Sequence, residues 1–205
     1  MDSYRIPTGN GASEYVEKRS RFLGLVQPVR SEDEAREIIA ACKKQYHDAR
    51  HNCWCYLLRD GTERYSDDGE PQGTAGIPML EVFRRAGVTN VVCVVTRYFG
   101  GVLLGTGGLV RAYTAAAKMS MEAAGIAVMK MCRICKITCD YPSYDRVVRL
   151  LADNGASVQN TEYGTATAVT FSVPFDIFDG LCAKITDTFS GKLTCEVIKN
   201  DFSPF

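Results

Sequence analysis

The segment from Val91 to Ala124 constrains this chain more than any other. Val91-Val92-Cys93-Val94-Val95 is a continuous apolar, β-branched run with no polar alternation, which predicts a strand buried on both faces. An alanine-rich stretch from about Leu109 to Ala124 predicts a helix, stopped by Gly125. Between them, Arg97–Arg111 carries five glycines: Gly100, Gly101, Gly105, Gly107 and Gly108.

The flanking sequence supplies the other elements of an α+β protein. Tyr15–Val29 reads as extended, broken near Arg19-Ser20-Arg21. Ser31-Glu32-Asp33-Glu34 has the form of a capping box, opening a helix whose Ala35, Ile38, Ile39 and Cys42 share one face. Asn52–Leu58 predicts a strand, and Asp60-Gly61 a hairpin turn into Thr62–Ser66. Asp67–Gly76 predicts a loop, after which Pro78 suits the first turn of a helix ending at Gly87. Beyond Gly125–Val128 the order is strand, helix, hairpin, helix, strand. That βαββαβ sequence is the split-βαβ or ferredoxin-like pattern, so two domains are expected, 1–127 and 128–205.

Lys+Arg and Asp+Glu both number 24, for a formal net charge of zero. Binding nucleic acid by bulk charge is therefore excluded, and any such contact must come from a local patch. The start, Met1-Asp2-Ser3-Tyr4-Arg5, has no apolar leader core, and no apolar run approaches the roughly 18 residues of a membrane helix. A cytoplasmic protein with no membrane association is expected, its nine cysteines reduced.

The glycine-rich run combines the ingredients of an anion site. Backbone amides at a helix start favour phosphate or carboxylate, and Arg97 and Arg111 are planar donors flanking it. The run is neither a P-loop, since Thr106-Gly107 replaces Lys-Ser/Thr, nor a dinucleotide fingerprint, since Val110 replaces the third glycine. The glycines also fit a purely structural role in a tight turn. The candidate anion or RNA contacts are Arg97, Tyr98, Gly100, Gly101, Gly105, Gly107, Gly108 and Arg111, with Arg84 and Arg85 as lesser ones.

A second loop, Asp67–Pro78, concentrates Asp67, Asp68 and Glu70 beside Gln72 and Thr74. Three readings stand: a hard-cation site, an acidic turn with Thr74 as helix N-cap, or acids that hold Arg97 or Arg111 in place. His51 is a pocket candidate. Cys53 and Cys55 share one strand face, with Trp54 and Tyr56 on the other, so no zinc knuckle forms there. Neither a resident metal nor a cofactor is expected, and no catalytic group can be picked.

These runs, SDDGEPQGTAGIP (Ser66–Pro78) and VTRYFGGVLLGTGGLVRAY (Val95–Tyr113), resemble the two signature stretches of the YigZ/IMPACT family. Lys18–Gly24 resembles the family's opening and Ala49–Cys53 its histidine segment, with Arg50 standing where a small polar residue is usual. The resemblance implies an N-terminal domain like domain two of the fifth small-subunit ribosomal protein. It implies a C-terminal domain like domain V of elongation factor G. Both point to a non-enzymatic factor that meets RNA or the ribosome in translational control, with a protein partner as a further option. The extra N-terminal domain of eukaryotic members is not seen in this sequence, so their partner role does not carry over. The alternative is a phosphate- or nucleotide-binding enzyme using Gly100–Gly108, with Mg²⁺ at Asp67 and Asp68. Oligomeric state is left open.

Overall fold

The computed structural model describes residues 3–205; Met1 and Asp2, part of the start read above for a leader, lie outside the described residues. The chain is mixed α+β, with two sheets and five α-helices among the described residues. It divides into two compact units, Tyr4–Val128 and a second that joins Ser3 to Met129–Phe205. No helix among the described residues is long and apolar enough to cross a membrane.

The first unit is built on five antiparallel strands: β2 (Gly11–Glu17), β3 (Ser20–Pro28), β4 (His51–Leu57), β5 (Glu63–Ser66) and β6 (Val91–Tyr98). Their order is β2-β3-β6-β4-β5, which puts the β-branched run at the centre. Helix α1 (Glu32–Gln45) covers one face, where Ala35, Ile39 and Cys42 pack on Tyr56, Val92 and Val94. Helices α2 (Gly76–Ala86) and α3 (Gly105–Ala124) cover the other, packing on Phe22, Cys53, Cys55, Cys93 and Val95. Every residue of β6 up to Arg97 is buried as a result. β1 (Ser3–Pro7) precedes this sheet, and Thr8 N–H donates to Gly125 O at 3.0 Å.

Local signals set most boundaries. Ser31 Oγ accepts from Glu34 N–H at 3.2 Å, while the Glu34 carboxylate accepts from Arg30 N–H, one residue earlier than a capping box would place it. Gly87 closes α2 in the left-handed region. β2 and β3 are joined through Lys18 and Arg19, both at positive φ (45° and 67°), a two-residue turn normally given to Asn or Gly. Helix α3 begins at Gly105, not near Leu109, so Gly107 and Gly108 are helical rather than loop residues. Their weak intrinsic helix preference is overridden because Gly108 and Leu109 are buried under the turn.

The second unit holds β7 (Ile126–Cys139, its first residues in the first unit), α4 (Tyr144–Asp153), β8 (Ser157–Tyr163), β9 (Thr167–Pro174), α5 (Phe175–Thr188) and β10 (Glu196–Pro204). β7 pairs antiparallel with both β9 and β10, and β9 with β8. Val147, Leu151, Phe178, Leu181 and Ile185 of the two helices close one core over Ile137, Val169 and Phe171. All nine cysteines carry free thiols.

Small residues let α3 lie close on the first sheet. Its buried face is Ala112, Ala116, Ala117, Ser120 and Ala124, and it meets Gly11 and Gly24 of β2 and β3. A Cβ at Gly11 would sit 2.1 Å from Ser120 O, a backbone atom that cannot swing aside. Gly11→Ala should therefore lower stability by about 1–3 kcal/mol in urea unfolding, as overpacked cores do. Gly9→Ala, with nothing within 4 Å of the added carbon, should change it little.

Candidate functional site

Strand register brings the first residues of the site together. His51 on β4 and Phe22 on β3 both stand opposite Arg97 on β6, so their side chains rise from one face, under α3. The Arg97 guanidinium lies 5.5 Å from the centre of the Phe22 ring and 5.7 Å from that of Phe99. Phe22 in turn meets the Tyr113 ring edge-on at 5.1 Å.

Arg97 is not an open phosphate ligand on the surface. Its Nη1 donates to Glu70 Oε1 at 2.6 Å, and the two side chains are only 7% and 3% exposed. Tyr113 OH donates to the same oxygen at 2.8 Å, and the Cys53 thiol approaches Tyr113 OH (3.3 Å) and Asp67 O (3.0 Å). Burial pushes the Cys53 thiol and the Tyr113 hydroxyl well above their ordinary values, which keeps both protonated as donors. The reading in which the acidic loop holds Arg97 describes this geometry. One polar group is left over: Arg97 Nε–H is buried with no acceptor among the described residues.

The acidic loop orders itself. Asp67 Oδ1 accepts from the Ala75 and Gly76 amides (3.0 and 2.8 Å), and Oδ2 from Gly73 N–H at 2.8 Å. Asp67 thus caps α2, correcting the expectation for Thr74, whose hydroxyl instead donates to Pro71 O at 2.6 Å. Asp68 accepts from Lys43 Nζ (2.6 Å) and Asn52 N–H (2.7 Å). With five donors turned on these two carboxylates, the Mg²⁺ arrangement at Asp67 and Asp68 does not fit. Gln72 is exposed on the loop. His51 Nδ1 meets Asp68 O at 2.9 Å; since a carbonyl only accepts, Nδ1 carries the proton and Nε2 is the free ring nitrogen.

The glycines divide by role. Gly100 N–H donates to Ser20 Oγ at 3.1 Å, and a Cβ there would lie 2.0 Å from Arg19 C, so Gly100 serves the close approach of the Lys18-Arg19 turn and offers no amide to an anion. Gly101 turns the chain at φ 87°. Gly105 starts α3, whose N-terminus has no side-chain cap. Its first-turn amides therefore remain available, with the helix dipole behind them. Tyr98 OH is engaged by Asp48 at 2.8 Å. Arg84 is paired with Glu63 and Glu81, and Arg85 lies 3.8 Å from Glu81, so neither converges with the loops. Arg111 is exposed nearly two turns along α3.

A cavity of about 450 Å³ joins these pieces. It is lined by Arg50, His51, Glu70, Arg97, Gly105 and Thr106, with apolar walls from Pro71, Phe99, Leu103, Leu104 and Leu109. Two guanidiniums face one carboxylate, a net single positive charge before the helix dipole is added. A larger groove of about 660 Å³ between α2 and α3 touches the ends of both signature stretches at Ile77, Pro78 and Val110 but shares no lining residue with this cavity. Sequence reasoning missed Tyr113 and Phe99 as site residues and treated Arg50 only as a departure. A lone tyrosine in the alanine face of α3 was the available signal for Tyr113.

Comparison with known proteins identifies the family. Residues 18–121 match the Impact N-terminal domain, and residues 137–192 match a domain of unknown function, DUF1949. The chain belongs to the IMPACT family. It is 37% identical over 165 residues to IMPACT family member YvyE of Bacillus subtilis, covering 80% of this chain and 76% of that one. It is 30% identical over 199 residues to IMPACT family member YigZ of Escherichia coli, covering 94% and 97%. Protein IMPACT of Rattus norvegicus is 31% identical over 104 residues, spanning 48% of this chain and 32% of that protein. A crystal structure described only as that of an hypothetical protein covers 97% of this chain and 98% of its own, with TM-score 0.61 and 28% identity.

Removing one partner of a buried pair strands the other. Glu70→Ala should cost about 3–5 kcal/mol in urea unfolding, whereas Glu70→Leu with Arg97→Met should cost far less than the sum of the single changes. Additive costs would show that the two side chains do not depend on each other.

Proposed function

We propose that this chain is a non-enzymatic RNA- or ribosome-associated factor acting in translation or its control in the cytoplasm, and that it takes a phosphate at the start of α3. The observation that carries this reading is Arg97 Nε–H, a buried donor without an acceptor, on a side chain that lines a cavity which also reaches the uncapped first turn of α3. A phosphate oxygen would satisfy the donor and be favoured by the dipole at once.

The surroundings support a nucleic acid over a simple inorganic anion. Arg50 lines the cavity, Arg111 reaches back beside Gly107 in the first turn of α3, and Lys18 and Arg19 are exposed at the turn whose Arg19 backbone packs directly on Gly100. Phe99, Val102 and Leu103 are exposed on the same loop (46%, 42% and 82%), offering apolar surface on which a base could stack. This local patch compensates for the absence of net charge. In the second unit, a βαββαβ order with β10-β7-β9-β8 pairing favours a ferredoxin-like, elongation factor G domain V-like fold; the first unit suits domain two of the fifth small-subunit ribosomal protein. Those likenesses are analogy at the level of fold.

Arg50→Ala with Arg111→Ala removes two cations without disturbing the buried pair. Co-sedimentation with ribosomes, or retention on RNA, should weaken, and the dependence on salt should flatten by about one unit of slope per lost phosphate contact. Binding and salt dependence both unchanged from the parent would overturn the proposal.

A further inference from the structure

We infer that the cavity under α3 takes a terminal phosphate monoester, the phosphorylated end of an RNA or a free mononucleotide, in preference to an internal phosphodiester. This rests on the phosphate reading above and narrows it. The juxtaposition that carries it is a buried guanidinium with an unused N–H, an uncapped helix start and a cleft with the volume of a small-molecule site.

Depth comes first. Arg97 is 6% exposed, so a phosphate must enter the cavity to reach it. An internal phosphodiester carries a sugar on each side and presents two free oxygens. A monoester carries one substituent and presents three oxygens, so it can be inserted end-on. Its oxygens can then meet the Arg97 guanidinium and the Gly105–Thr106 amides, all from residues of the lining. The volume of about 450 Å³ lies within the range of pockets that enclose single small ligands.

Charge and wall chemistry agree. Arg50 and Arg97 against Glu70 leave one net positive charge, and the helix start adds roughly half a charge more. That sum matches a monoester, at about −1.5 to −2 near neutral pH, better than a diester at about −1. The rest of the ligand would lie against Phe99, Leu103, Leu104 and Pro71, which suit a sugar and base.

The test is fluorescence anisotropy on the full chain with one short oligoribonucleotide bearing a 5′-phosphate, a 3′-phosphate or neither. AMP and adenosine serve as competitors. A phosphorylated end should bind at least about tenfold tighter than the hydroxyl-ended RNA, and AMP should compete where adenosine does not. In Arg97→Lys, which keeps a charge against Glu70 but loses Nε–H, the preference should fall towards one; its circular dichroism melt checks folding. Equal affinity for all three RNAs would overturn this inference while leaving RNA binding intact. AMP binding with no RNA binding would support the monoester site and overturn the RNA proposal. If neither binds, both fall.

Discussion

A guanidinium placed in the middle of a sheet and covered by a helix must be neutralised where it stands. In this chain the Arg97–Glu70 pair does so, and much of the first unit is arranged to make that pair possible. The strand carrying Arg97 is buried because helices cover both faces of its sheet. Glu70 can reach it only because Asp67 and Asp68 fold their loop back, one onto the start of α2 and the other onto β4 and Lys43. Tyr113 enters from α3 and ties that helix to the same carboxylate. A buried ion pair of this kind is weak ground for a gain in stability, since desolvation offsets much of the attraction.

The ion pair links the two signature loops physically. The acidic loop fixes the arginine, the glycine-rich loop delivers a bare helix start beside it, and the cavity lies where they meet. The strained Lys18-Arg19 turn belongs to the same assembly, since Gly100 must lack a side chain for the turn to dock. Positive φ at two non-glycine residues costs roughly a kilocalorie or more each, the sort of strain that persists where a surface is being held for use.

Legibility in the sequence depends on the range of each interaction. The N-cap at Ser31, the stop at Gly87, the sides taken by Cys53 and Trp54, and the buried character of Val91–Val95 are short-range patterns, and residues alone reveal them. The α2 cap is not legible in this way, because the oxygen comes from Asp67, eight and nine residues before the amides it serves, while Thr74 stands nearer the helix start. The Arg97–Glu70 pairing spans 27 residues, and nothing local distinguishes it from pairing at Arg111 or from an open anion contact. Helix α3 starts about four residues before the alanine-rich run suggests, because burial overrides the glycines' weak helix preference. Gly100 illustrates the general limit: its glycine is required by a backbone 80 residues away.

Arg97 Nε–H and the first turn of α3 should form one phosphate site. Side-chain and backbone ¹⁵N–¹H spectra, recorded during titration with a nucleoside monophosphate, test this most directly. The Arg97 Nε–H resonance and the Gly105 and Thr106 amides are predicted to shift together, along one saturable curve. Shifts confined to exposed lysines and arginines, with Arg97 Nε–H unmoved at saturation, would contradict it.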